Sequence, residues 1–182
     1  MQGHWELIIR IAVGAGLGAI IGFERDIHGR QAGLRTHLIV AMASATFMVV
    51  STHFILFQTY PEGQHIEADV SRIAASVVSG IGFLAGGAIL RNGITVQGLT
   101  TAAGLWLVSA IGLCSGAGMY FESVAVTIMG LIALTVFRFF EDKDDDLIRR
   151  YVSLVVENNS THVLKITETL KQSGAKIGDF DY

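Results

Sequence analysis

The sequence predicts an all-α polytopic membrane protein with five transmembrane helices, followed by a short C-terminal cytoplasmic β-α-β unit. Three observations carry this. Apolar residues make up 51 % of the 182 positions and charged residues only 16 %, against about 25 % charged in soluble domains, and mean hydropathy is +0.52. The charges are also clustered, since no Asp, Glu, Lys or Arg occurs in 11–23, 36–61, 73–90, 92–121 or 123–137. Each gap, slightly extended, holds a span of about 20 mostly apolar residues, and the longest holds a span plus a turn. A soluble core of buried helices does not require charge-free stretches repeated at this length. Finally, Arg and Lys gather on alternate connections, as the positive-inside rule requires.

The spans fall at roughly 5–23, 36–57, 72–90, 98–114 and 119–140. In the first, Gly14, Gly18 and Gly22 recur every four residues and so share a helix face. Gly82 and Gly86 repeat that spacing in the third span, and Gly112 and Gly116 at the end of the fourth. Such stripes let helix backbones approach closely in lipid and predict a tight bundle. Whether a stripe meets its own chain or a second copy, giving a homodimer, is left open by the spacing. Arg10 lies one turn beyond Glu6, placed either to pair with it or to snorkel outward, and His53 lies near the far end of the second span. Cys114 can form no intrachain disulfide and reads as a small packing residue.

The connection after the first span carries Arg25, Arg30 and Arg35, that after the third Arg91, and the tail Arg138, Lys143, Arg149 and Arg150. The opposite connections carry no Arg or Lys before Arg10, before Arg72, or in 114–118. The N-terminus is therefore expected outside and the C-terminus in the cytoplasm. Met1–Glu6 lacks the basic start of a cleaved signal peptide. A net charge of −3 gives no general attraction to nucleic acid.

Two cytoplasmic connections are richer than a simple turn needs. In "GFERDIHGRQAGLRTHLIV", Glu24, Arg25 and Asp26 end the first span, Gly29 and Gly33 interrupt any helix, and Arg35 and Thr36 open the second. Antiparallel neighbours bring the Glu24 and Arg35 ends close, so a carboxylate–guanidinium pair is expected. In "LRNGITVQGLTTAAGLW", Arg91 and Asn92 end the third span, Gly93 permits a sharp turn, and the hydroxyls of Thr100 and Thr101 can cap the fourth.

These stretches, with "GIGFLAGGAIL" between them, resemble the signature blocks of the MgtC/SapB family of bacterial inner-membrane proteins over roughly residues 5–140. "GFLAGGAIL" departs from the more usual GFLGAG, a change expected to alter packing only. The resemblance implies a multi-pass inner-membrane location and a five-helix domain followed by a cytoplasmic ACT-like domain. It also implies roles in adaptation to low magnesium, intracellular survival and virulence, and modulation of membrane partners such as ATP synthase. Carried over by motif, the functional surface comprises Glu24, Arg25, Ala32, Gly33, Leu34, Arg35 and Thr36, then Asn92, Gly98, Leu99, Thr100, Thr101 and Trp106.

The domain reading is thus 1–140 for the membrane domain, 141–149 for a charged linker containing "EDKDDD", and 150–182 for a partial ACT-like domain. In that tail, "RYVSLVVE" and "AKIGDFDY" have strand composition and Thr161–Lys171 reads as a helix, half of the βαββαβ arrangement. A second copy could supply the other half.

The acids of the linker, the loop group Glu62, His65, Glu67 and Asp69, and the trio Glu24, Asp26 and His28 are the groups whose composition could meet a divalent cation. None has EF-hand or zinc spacing, and no metal or cofactor is expected. No P-loop, G-x-S-x-G, H-E-x-x-H or paired-cysteine motif occurs, so the chain is not expected to be an enzyme. Two functions stay in contention, a regulatory membrane adaptor and a transporter or channel for Mg²⁺ or another small ion. Transport needs acids or carbonyl-lined helix breaks at mid-depth, and the spans carry no mid-depth carboxylate.

Overall fold

The structure is a computed structural model that describes residues 3–54, 69–92 and 95–141, with side chains of the last helix through 136. The chain divides into the units Met1–Asp144 and Asp145–Tyr182, and all described residues fall in the first. The β-α-β unit expected over 150–182, the linker beyond Glu141, and Glu62, His65 and Glu67 lie outside the described residues.

The described residues form five helices and a two-stranded ribbon in the order α1 (His4–Ile27), α2 (Leu34–His53), α3 (Ser71–Gly87), β1 (Leu90–Asn92), β2 (Thr95–Gln97), α4 (Leu99–Gly116) and α5 (Tyr120–Glu141). Three of them, α1, α2 and α4, are long and apolar enough to cross a membrane, whereas α3 and Tyr120–Val136 of α5 are shorter apolar helices.

The bundle is built inside out relative to a soluble domain. Its small core joins Ile21, Ala41, Val108 and Ile111 to Leu17, Val40, Leu107 and Val126. Large apolar side chains such as Ile9, Phe47, Phe83, Phe121 and Met129 stand exposed on the outer faces. A surface this apolar is stable only against lipid or another apolar partner.

Small residues set the helix spacing. Gly14 and Gly18 lie against Ala45 and Ala41 of α2, and a Cβ on Gly22 would stand 2.7 Å from the Leu34 Cα. Gly112 and Gly116 of α4 press on the backbone of Ala41 and Ala45 from the other side. The α1 and α4 stripes are therefore internal. The α3 stripe is not, since a Cβ on Gly82 or Gly86 would meet nothing within 4 Å. The question that the spacing leaves open thus has different answers: the α1 and α4 stripes meet their own chain, whereas α3 turns only Ile81 and Ala85 fully inward and leaves Gly82 and Gly86 exposed.

Hydroxyls lock the closely spaced helices together. Ser44 and Ser109 meet at 2.9 Å between α2 and α4, and the Ser123 hydroxyl donates to the Ile111 carbonyl at 3.1 Å between α5 and α4. Interhelical bonds of this kind contribute about 0.6 kcal/mol each in a membrane.

Helices α1 and α4 end in the same device. After α1, Gly29 N–H donates to Asp26 and Arg30 N–H to Arg25; after α4, Gly118 N–H donates to Ser115 and Met119 N–H to Cys114. Gly29 and Gly118 adopt φ of 61° and 83°, the left-handed position that this double bond pattern places after a helix.

At the same end of α4, Arg10 is buried and donates to Glu6 Oε1 at 2.7 Å and to the Gly116 carbonyl at 3.3 Å. Ser115 in turn donates to the Arg10 carbonyl at 2.6 Å. Of the two arrangements open to Arg10, pairing holds and outward snorkelling does not, because the α4 C-terminus offers both carbonyl oxygens and a favourable dipole. His53 is likewise buried, its ring nitrogen 3.1 Å from the Val49 carbonyl.

Ahead of α3, the Ser71 hydroxyl and amide both donate to Asp69 Oδ1, at 2.6 and 2.9 Å. These bonds hold the Asp69 carboxyl below the usual carboxylate range. The Ser51 hydroxyl donates to the Val70 carbonyl and ties α2 to this entry.

Candidate functional site

The end of the bundle formed by the α1–α2 turn and the β1–β2 ribbon gathers most of the motif residues. The turn is closed by Asp26, whose Oδ2 accepts the Leu34 amide N–H at 3.0 Å and so caps the start of α2. Gly33 lies directly under that carboxylate, and a side chain there would occupy the space Asp26 fills. This explains why a glycine stands in "AGLRT" and gives Asp26 a role that the spacing alone does not reveal. Asp26→Ala is expected to cost about 1 kcal/mol, the usual loss of a helix cap. Thermal unfolding in detergent micelles checks it, with Asp26→Asn retaining most of the stability.

Glu24 and Arg25 are buried at 8 % and 2 % exposure. The expected Glu24–Arg35 pair is not formed. Glu24 Oε2 instead lies 3.7 Å from the Arg25 guanidinium, and Oε1 2.8 Å from His28 Nδ1, while Arg35 and Thr36 are exposed. The cause is rotational: Leu34 faces Gly22 across the close α1–α2 contact, and the next residue is turned about 100° away around the helix. His28 Nδ1–H donates to the Glu24 carbonyl at 2.7 Å, so the carboxylate is held by charge, and both its oxygens are buried without a hydrogen bond.

His37, the last residue of "AGLRTH", is fully buried. Its Nδ1–H donates to the Gly33 carbonyl at 2.9 Å, since a carbonyl only accepts, and in the neutral ring the lone pair is then on Nε2. Nε2 has no hydrogen-bond partner and lies 3.4 Å from where a Cβ on Gly104 would stand. The sequence reading passed over His37, since one histidine on an apolar helix face carries no spacing signal.

In the second block, Arg91 and Asn92 do not end α3, which stops at Gly87. They lie on β1, which pairs antiparallel with β2 through Leu90 and Gln97, Arg91 and Val96, and Asn92 and Thr95. The expected threonine cap is also replaced. Gly98 takes the cap position at φ 87° with no side-chain cap bond, and a Cβ there would run into the Ala88 carbonyl. Thr101 points inward at 4 % exposure, while Leu99, Thr100 and Trp106 are exposed.

The structure therefore splits the motif set. Glu24, Arg25, Ala32 and Thr101 are buried, Gly33, Leu34 and Gly98 shape turns, and Arg35, Thr36, Leu99, Thr100 and Trp106 form the outward surface. The trio Glu24, Asp26 and His28 does not converge on a cation position, because Asp26 is turned to Leu34. Among the described residues no group of three or more His, Cys, Asp or Glu could hold a metal ion.

A profile of the MgtC family matches residues 11–143. YhiD of Escherichia coli (strain K12), whose name proposes a magnesium transporter, is 44 % identical over 132 residues, 72 % of this chain and 60 % of that protein. The protein slr0014 of Synechocystis is 42 % identical over 128 residues, 70 % of this chain and 50 % of that protein. Protein MgtC of Salmonella typhimurium (strain LT2) is 38 % identical over 151 residues, 83 % of this chain and 58 % of that protein. The chain thus spans between half and three-fifths of the length of these relatives. No solved structure matches.

Proposed function

From the premise that the chain belongs to the MgtC family, we propose that it is a non-enzymatic regulatory membrane protein which acts when magnesium is scarce by engaging another membrane protein. In this reading all five helices cross the bacterial inner membrane, with the N-terminus outside and the motif end in the cytoplasm, where the arginine-bearing connections lie. ATP synthase is the partner that the family resemblance favours, and intracellular survival is the setting.

One observation carries the regulatory reading over transport. The motif residues divide into a buried scaffold and an outward surface, and the scaffold closes the bundle instead of lining a path. Helices α1, α2 and α4 meet through glycine and alanine at backbone contact, and the hydroxyls of Ser44, Ser109, Ser115 and Ser123 are consumed by bonds between helices. The helix breaks that carbonyl-lined transport would use are not found within α3 or α4, each of which runs as one continuous helix. Magnesium transport, which the name of YhiD proposes for that protein, is the second reading.

The two separate in one experiment on purified protein. Proteoliposomes holding the wild type are expected to show no saturable Mg²⁺ or proton flux. In membranes, Arg35→Ala and Thr36→Ala, both on exposed positions, are expected to lose co-purification of the membrane partner without loss of thermal stability. Saturable flux in the wild type, abolished by Glu24→Ala, establishes the transport reading instead.

A further inference from the structure

Helix α3 packs against α4 and α2. Between it and α2 runs an open groove of about 380 Å³, walled by Val40, Ala43 and Phe47 on one side and Val77, Gly80 and Leu84 on the other. Gly80 and Ala43 supply too little side chain to close it. The chemistry of the walls is one-sided. The Ser44 hydroxyl is taken by Ser109 at 2.9 Å, and that of Ser76 donates to the Arg72 carbonyl at 3.0 Å. The groove thus presents methyl and methylene groups along its length, with both of its hydroxyls already bonded.

Its length and its one charged end define what it accepts. From Ile73 to Leu84 the groove follows α3 for about 16 Å at 1.5 Å per residue, close to the depth of one leaflet, half of the ~30 Å hydrocarbon core. Arg72 stands at the Ile73 end with its side chain 85 % exposed and touches Asp69 through Nε at 3.6 Å. Asp69 is itself committed through Oδ1 to Ser71. A guanidinium at the end of a leaflet-long apolar slot matches an anionic amphiphile: the slot takes an acyl chain and the fork takes a phosphate.

We propose that the α2–α3 groove is a binding site for one acyl chain of an anionic phospholipid, with the phosphate held at Arg72. None of the candidate functional residues lines the groove, and the site does not depend on whether the chain regulates a partner or moves an ion. It requires α3 to lie in lipid beside α2.

The test uses the full chain, extracted from membranes in mild detergent and weighed by native mass spectrometry, then delipidated and titrated with phosphatidylglycerol or phosphatidylethanolamine. The wild type is expected to retain one phospholipid per chain and to prefer phosphatidylglycerol about fivefold, the equivalent of ~1 kcal/mol for one arginine at a membrane surface. A Cβ at Gly80 meets nothing within 4 Å, so Gly80→Phe fills the groove without disturbing the fold. It is expected to lower retention about tenfold with unchanged thermal unfolding. Ala43→Phe blocks the slot from the other wall and acts alike, whereas Arg72→Gln keeps a lipid but loses the headgroup preference. Retention unchanged in both blocking variants places the lipid elsewhere and overturns the proposal. So does a lipid-free dimer, which assigns the groove to a second copy of the chain. Loss of the wild type from carbonate-washed membranes is a separate outcome and refutes the membrane placement itself.

Discussion

Gly112→Leu is expected to unfold the bundle in mild detergent, with a loss of ~3 kcal/mol or more. The glycine sits where α4 crosses α2, and its missing side chain is replaced by the Ala41 backbone and by the Ser44 Cβ, 2.8 Å from where a Cβ would stand. Neither neighbour is the far end of a flexible chain, so relief requires separating two helices along their length. Separation also breaks the bond between Ser44 and Ser109. The control has the same local sequence logic and the opposite expected result. Gly82→Ala places a methyl in open space and changes stability by less than about 0.5 kcal/mol. Thermal unfolding of the pair in one detergent, read by circular dichroism, checks both. Equal losses at the two sites show that α3 meets a partner through its glycine face.

Arg25→Ala is expected to cost about 3 kcal/mol, because it strips a buried carboxylate of its guanidinium neighbour. Glu24 has a side chain only 9 % exposed, and its oxygens carry no hydrogen bond. Removing the arginine leaves it beside His28, 2.8 Å away. Replacing both charges, as Glu24→Gln with Arg25→Met, is expected to recover much of the loss, with a coupling of about 2 kcal/mol between the sites. A double-mutant cycle by thermal unfolding measures it. Strictly additive losses show that Arg25 is held by other contacts and that the pair is incidental. The same double variant also separates stability from function. A folded protein that fails to retain the proposed membrane partner assigns the charges to recognition, whereas full retention assigns them to the scaffold.

The helices were legible from the charge-free gaps. Helices α1, α2 and α4 begin and end within about four residues of the positions those gaps suggest, because the cost of a charge in lipid writes boundaries into the sequence. The stripes in α1 and α4 were legible for a related reason, as four-residue glycine spacing has few other uses in a membrane helix. What the stripes could not reveal was rotation about the helix axis. Gly82 and Gly86 look like Gly14 and Gly18 until the neighbours of each are known. The same blindness placed Arg35 opposite Glu24, when the turn swings it outward.

The β1–β2 ribbon falls in the connection between the third and fourth spans, where the sequence suggests only a sharp turn at Gly93. Two three-residue strands are too short for an alternating pattern to stand out. His37 and Asp26 were missed as site builders because their partners are backbone atoms, Gly33 O and Leu34 N–H. A main-chain partner leaves no complementary residue in the sequence to find.

The Arg10 clasp sets an order on biogenesis. Its guanidinium belongs to α1, yet its partner carbonyl at Gly116 lies 106 residues further along the chain. At 5–20 residues per second the ribosome needs roughly 5–20 s to supply it. During that interval Glu6, one turn away, is the acceptor the nascent helix itself provides. Helix α1 therefore completes its Arg10 contacts only when α4 has been delivered. Assembly is paced by translation, and a pause placed before Gly116 would prolong the lifetime of an unfinished helix exposed to the insertion machinery and to membrane proteases.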